Sequence, residues 1–170
     1  MSLLAPAPTD TAWQTLTDRI ASVLAILDED DSLIIAGKRQ YGFVRFLCQG
    51  RHGMRALALG NYYLEPEWKL DDNQLARLAL LGWSAPTASE PSPEWIESDP
   101  DFVPWFHVET ADPVPFIELA ELAAATLRDV YRLHHPSVLE YDAVNGRTRI
   151  KLPTLGLMAS PPRPPAPQQA

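Results

Sequence analysis

Side chains able to hold a metal or attack a substrate are present, but their spacing builds none of the usual sites. The four histidines stand at positions 52, 107, 134 and 135. His134 and His135 are adjacent, so on a helix they diverge by about 100° instead of sharing a face as ligands at i and i+4 do. Followed by Pro136, they read as the end of a helix, where an imidazole beside exposed carbonyls is favourable. Cys48 and His52 offer a nucleophile and a base, yet Cys48 falls in a strand pattern that buries one face, and a buried thiol is inert. Cys48 is the only cysteine, which excludes a disulfide framework and a four-thiolate zinc site. Glu65 and Glu67 pair carboxylates in sequence only, which carries little weight in so acidic a chain. No Gly-Lys-Ser/Thr phosphate loop, dinucleotide glycine fingerprint or Gly-x-Ser-x-Gly elbow occurs. The expectation is no catalytic residue, no metal and no cofactor, in a protein that is not an enzyme.

What remains is apolar chemistry. Tyr62, Tyr63, Trp68, Trp83, Trp95, Trp105 and Phe106 concentrate aromatic area in one stretch of the chain. Aromatic rings bury much surface at low entropic cost, so Tyr62, Tyr63, Trp83, Trp95 and Trp105 are the candidate contacts for an apolar peptide segment. For Trp83, packing in the core and contact with a partner both stand open. The 22 acidic and 14 basic residues leave a formal charge of -8, which repels polyanions, so no nucleic-acid partner is expected. The run Asp28-Glu29-Asp30-Asp31 lacks the glycine and spaced ligands of a calcium loop and reads as a solvated turn. No stretch approaches the roughly 18 apolar residues of a membrane span, and Met1 to Asp10 lack the basic start and long apolar run of a signal peptide. A cytoplasmic protein without membrane insertion is the expectation.

The elements that must position these residues follow from periodicity. Trp13, Leu16, Ile20, Val23, Leu24 and Leu27 recur at spacings of three and four and predict a first helix, with Asp10 or Thr11 able to cap it. Leu33 to Ile35, Tyr41 to Gln49 and Met54 to Leu59 read as strands of an antiparallel meander, joined by Gly37 to Gln40 and by Gln49-Gly50-Arg51-His52-Gly53. Asp71 and Gln74 form a capping box for a second helix that Gly82 closes. Prolines at 86, 91, 93, 100, 104, 113 and 115 then leave room for one short strand, Trp105 to Glu109. Phe116 to Leu133 predicts a third helix, and Val138 to Val144 a last strand before an Asn145-Gly146 turn. The fold class is α+β, with a flexible N-terminus at 1–10, one domain at 11–145 and a Pro-rich flexible tail at 146–170. The tail's PxxP spacings suit a polyproline ligand or, more simply, a spacer.

The stretch from Tyr41 to Pro86 resembles the centre of the YbjN-like and type III secretion chaperone-like (TY-Chap) domains of actinobacteria. The resemblance rests on Phe43-Val44-Arg45-Phe46, on Asn61 before Tyr63 and Leu64, on Gln74, and on Leu81, Gly82, Trp83 and Pro86. Pro93-Glu94-Trp95 matches a later element loosely, with Glu94 departing from it. The resemblance covers roughly residues 10 to 145. It implies a helix, a three-stranded meander, then helix, strand and helix. It also implies non-catalytic binding of a client protein or peptide, with a link to secretion, by a homodimer whose clients lie in apolar grooves or join sheet edges. An adaptor or structural subunit of a larger complex is the alternative, and an enzyme with an unrecognised site the weaker one.

Overall fold

The apolar stripe that predicts the first helix is the one the structure buries: Trp13, Leu16, Ile20, Val23 and Leu24 face inward from α1 (Pro8–Leu24). The computed structural model describes residues 8–39, 42–62, 64–87 and 102–161. After α1 come the meander β1 (Asp31–Gly37), β2 (Phe43–Cys48) and β3 (Met54–Ala58), then α2 (Asp72–Leu81), β4 (Phe106–Thr110) and α3 (Phe116–Ala125). The chain finishes with β5 (Leu139–Asn145), β6 (Thr148–Arg149) and β7 (Met158–Ala159). This is the α+β order that the sequence predicts, extended by two short strands.

The seven strands form one sheet in the order β4-β3-β2-β1-β5-β6, antiparallel throughout this path. β7 pairs with β5 in parallel, on the edge that β6 shares. Side chains alternate between the two faces of a strand, so register decides which residues meet. One face carries Leu33 and Ile35 of β1 opposite Phe46 and Val44 of β2, and opposite Ala143 and Tyr141 of β5. Ala56 and Ala58 of β3 and Phe106 of β4 extend the same face, and all of these residues are buried. α1 and α3 pack on it, and the small Ala120, Ala123 and Ala124 of α3 are buried in the same core.

The third helix does not run on as a regular α-helix to Leu133. After Ala125 it widens into a π-helical turn, Thr126–Val130, in which Tyr131 N–H bonds the Thr126 carbonyl at 3.1 Å. The Thr126 hydroxyl donates to the Leu122 carbonyl one turn back at 2.7 Å, a competition that perturbs helices. His134 and His135 therefore lie beyond the helix rather than at its carbonyl end. His135 accepts the Ser137 N–H on Nδ1 and starts a single 3-10 turn, Pro136–Val138.

The C-terminal boundary also differs from expectation. Residues 146–161 are not a detached tail: Leu152 and Leu155 are buried, and the Leu152 N–H donates to the Tyr141 hydroxyl at 2.9 Å. Apolar side chains within the Pro-rich stretch supply the burial that its composition obscured. Residues 1–7 and 162–170, which hold most of the predicted N-terminal and the rest of the C-terminal flexible segments, lie outside the described residues.

Candidate functional site

The motif residues Asn61, Gln74, Gly82 and Trp83 converge on the join between α2 and the π-turn. Asn61 closes the loop before α2 with two bonds to one residue: its Oδ1 accepts from Leu70 N–H at 2.7 Å, and its Nδ2 donates to the Leu70 carbonyl at 3.2 Å. The capping box is complete, with Asp71 accepting from Gln74 N–H at 2.8 Å and Gln74 accepting from Asp71 N–H at 2.9 Å. The bond from Gln74 N–H and the nearby Arg132 guanidinium hold the Asp71 carboxyl below the usual carboxylate range. Arg132 takes the left-handed φ of 58°, a conformation that non-glycine residues adopt sparingly, as the chain leaves the π-turn. At the other end of α2, Gly82 adopts φ 111° and its N–H reaches the Leu78 and Ala79 carbonyls.

Trp83 follows directly and points inward. It is 4% exposed, and its indole Nε1–H donates to the Thr126 hydroxyl at 2.9 Å. Tyr62 is likewise buried, 3% exposed, with its ring edge-to-face on Phe102 at 5.4 Å. Tyr131, whose hydroxyl donates to the Leu59 carbonyl at 2.8 Å, completes the set of inward aromatics, and burial pushes its pKa up. A Cβ on Gly42 would stand 2.6 Å from Cγ of Tyr131, so only glycine lets that strand approach the ring. Trp83 and Tyr62 therefore present little surface to a partner. Tyr63 and Trp95 lie outside the described residues.

Trp105 sits differently. It is half-buried, edge-to-face on Phe43 with 5.5 Å between ring centroids, at the end of the sheet face opposite the helices. The buried apolar residues of all three helices belong to the one core, and among the described residues no helix lies on that opposite face. Its side chains form cross-strand rows. One row runs Asp142, Ile34, Arg45, Leu57 and His107; the next runs Val144, Ser32, Leu47, Arg55 and Glu109. Apolar and polar or charged groups thus intermingle across it. Arg55 faces Glu109 at 3.4 Å, whereas Arg45 Nε donates to the Ser32 hydroxyl at 2.9 Å and has no carboxylate partner among the described residues. Apart from Trp105, beside Phe43 at one end, this surface carries none of the described aromatic residues that mark candidate contacts in the sequence. The available signal was Phe43-Val44-Arg45-Phe46-Leu47, where both parities of one strand are apolar.

The sheet's edges are less available than its face. On β4, His107 exchanges backbone bonds with Ser84, at 2.9 and 3.1 Å, and on β5 the outer edge is taken by β6 and β7. Among the described residues no group of three or more His, Cys, Asp or Glu side chains is placed to hold a metal ion, and no helix is long and apolar enough to cross a membrane.

A helix, a meander, a helix, a strand and a helix, with one sheet face packed and the other open, define a chaperone-like α+β fold. The sequence model of a protein family matches residues 6–145, and the chain belongs to that family: TY-Chap3, the T3SS (YopN, CesT) and YbjN peptide-binding chaperone 3. No curated protein and no solved structure matches the chain.

Proposed function

We propose that the chain is a non-enzymatic chaperone whose client is an extended segment of another protein laid across the open sheet face. The carrying observation is the helix-free face itself, where the half-buried Ile34, Leu47 and Val144 lie in cross-strand rows with Arg45 and Arg55. Apolar burial at about 25 cal/mol per Å² supplies the affinity, and Arg45, which has no carboxylate partner among the described residues, favours a carboxylate on the client. Phe43 and Trp105 bound one end of the face, which leaves Trp105 as the aromatic contact among the described candidates. Membership of a family described as peptide-binding supports the reading, and a secreted client and a homodimeric chaperone are its finer extensions.

The test selects peptides on the full chain from a displayed random library and measures their affinity by fluorescence anisotropy. Leu47→Glu should weaken the selected peptides about tenfold or more, since it removes apolar area and opposes their carboxylates. Ala76→Glu, on the exposed side of α2, should leave them unchanged. Equal loss in both variants, or none in Leu47→Glu with its circular dichroism intact, would remove this face from the function.

A further inference from the structure

At its β5 side the open face carries a hollow of about 400 Å³. Ile34 and Val144 give it apolar surface, Glu140, Asp142 and Arg149 its charges, and Ser160 and Pro161 line it from the segment after β7. Ile34, Glu140, Asp142 and Val144 are half-buried, so each keeps surface for an occupant. Glu140 has no basic partner among the described residues, whereas Asp142 faces Arg149 at 3.4 Å. The hollow therefore holds more negative than positive charge.

The chain is delivered to this hollow by the sheet itself. β7 runs parallel to β5 beside Glu140 and Tyr141, and Ser160 continues the pairing by donating its N–H to the Tyr141 carbonyl at 2.7 Å. Just ahead, β6 already pairs with Val144 and Asn145, so the edge is taken. Pro161 and Pro162 carry no N–H and cannot prolong a ladder. Arg149 Nη2 donates to the Ser160 carbonyl at 2.6 Å and fixes the point of departure. β7 therefore gives out at the hollow, on the helix-free side of the sheet, with residues 162–170 still to follow.

The composition of that stretch complements the surface. Residues 162–170 carry one charged side chain, Arg163, two positions beyond Pro161; the others are proline, alanine and glutamine. A proline-rich segment is extended before it docks, so docking costs it little chain entropy. In polyproline II form nine residues reach about 28 Å, against about 19 Å for the four strand steps from β5 to β4. We propose that residues 162–170 of this chain lie across its own open face, with the Arg163 guanidinium on Glu140 and the run Pro164-Pro165-Ala166-Pro167 over Ile34 and towards Leu47. Arg45 then meets uncharged residues, and the segment's one cation stays at the acidic end of the face. On the client reading above, the segment occupies the surface that a client must take; the docking itself does not rest on that reading.

The test is made on the full chain by NMR. In the unmodified protein the order parameters of the Arg163 and Ala166 amides should lie above about 0.6, and lower values overturn the proposal. A nitroxide on Ala170→Cys, combined with Cys48→Ser so that it sits on the one thiol, should broaden the amide signals of Arg45 and Leu47; the serine keeps a donor towards the Leu27 carbonyl. Arg163→Gln and Glu140→Gln should each lower the ratio of seated to free segment about threefold, as loss of an exposed ion pair does. The double variant should lower it no further, because both changes remove one contact. Broadening that the single variants leave unchanged, or losses that add, overturn the proposal. Broadening seen when nitroxide and isotope sit on different chains gives the face to a second copy and overturns it too. Peptides selected as above should bind Arg163→Gln about threefold more tightly, and unchanged affinity overturns the competition. Absence of any peptide binding removes the client reading alone, because the nitroxide reads the segment without a client.

Discussion

Gln74 Nε2 donates to the carbonyl of Val130 at 2.7 Å, joining the first turn of α2 to the end of the π-turn 56 residues away. The same side chain closes the capping box through Oε1. One carboxamide therefore both starts α2 and docks it, which matters because Leu78 is the only fully buried side chain α2 contributes. Gln74→Ala removes both bonds and should destabilise the fold by about 1–3 kcal/mol. For a chain of this size that lowers the thermal midpoint by several degrees, at about 2–4 °C per kcal/mol, as read by circular dichroism. A midpoint equal to wild type would mean that packing at Leu78 alone holds the helix.

Trp83 couples the helix cap to the same region through Thr126. Trp83→Phe keeps most of the apolar area but loses the indole donor, so a cost of about 1–2 kcal/mol is expected. Trp83→Ala leaves a cavity as well and should cost about 3–5 kcal/mol. Urea denaturation separates the two. If Phe and Ala cost the same, the ring's volume contributes nothing and the core assignment of Trp83 fails.

How far this was legible in the sequence follows the range of the forces involved. The stripe of α1, the meander and the capping box of α2 depend on neighbours within a few residues, and periodicity with cap residues reveals them. The contact that docks the π-turn, Trp83 on Thr126, spans 43 residues and no local pattern encodes it. The aromatic residues illustrate the same limit. Tyr62, Trp83 and Trp105 are alike in composition, yet the first two are buried and the third lies half-buried beside Phe43, a distinction fixed by strand register and helix docking. The open face was missed because it is made of ordinary strand residues, Ile34, Leu47 and Val144, that become a surface only once the helices are known to occupy the other side.

Leu155 carries the case that the fold extends past Asn145. It is fully buried, in a 3-10 turn (Pro153–Leu155) that packs against α1. Leu155→Ala should destabilise by about 2–5 kcal/mol, the range for a buried leucine. A chain ending at Asn145 loses Leu152 as well and should expose core surface, measured as increased binding of a hydrophobic dye. An unchanged urea midpoint in Leu155→Ala would return this segment to the status of a spacer.

Tyr131 gives the fold an alkaline limit. Its hydroxyl is buried and bonded to the Leu59 carbonyl, and burial raises its pKa above the ordinary tyrosine value of about 10. The raised folded-state value sets the sign. Below pH 10 the group is protonated in both states and its contribution is complete. Above pH 10 the unfolded chain ionises first, binds fewer protons than the folded one, and is favoured by up to about 1.4 kcal/mol per pH unit for this one group. Stability should therefore fall as pH climbs from 10 towards the folded-state value. Tyr131→Phe lowers stability at neutral pH by about 1–2 kcal/mol through the lost hydrogen bond. It should also flatten the alkaline decline, so urea midpoints of the two proteins converge as pH rises. Parallel curves above pH 10 would show that the hydroxyl ionises as readily in the folded protein as in the unfolded chain.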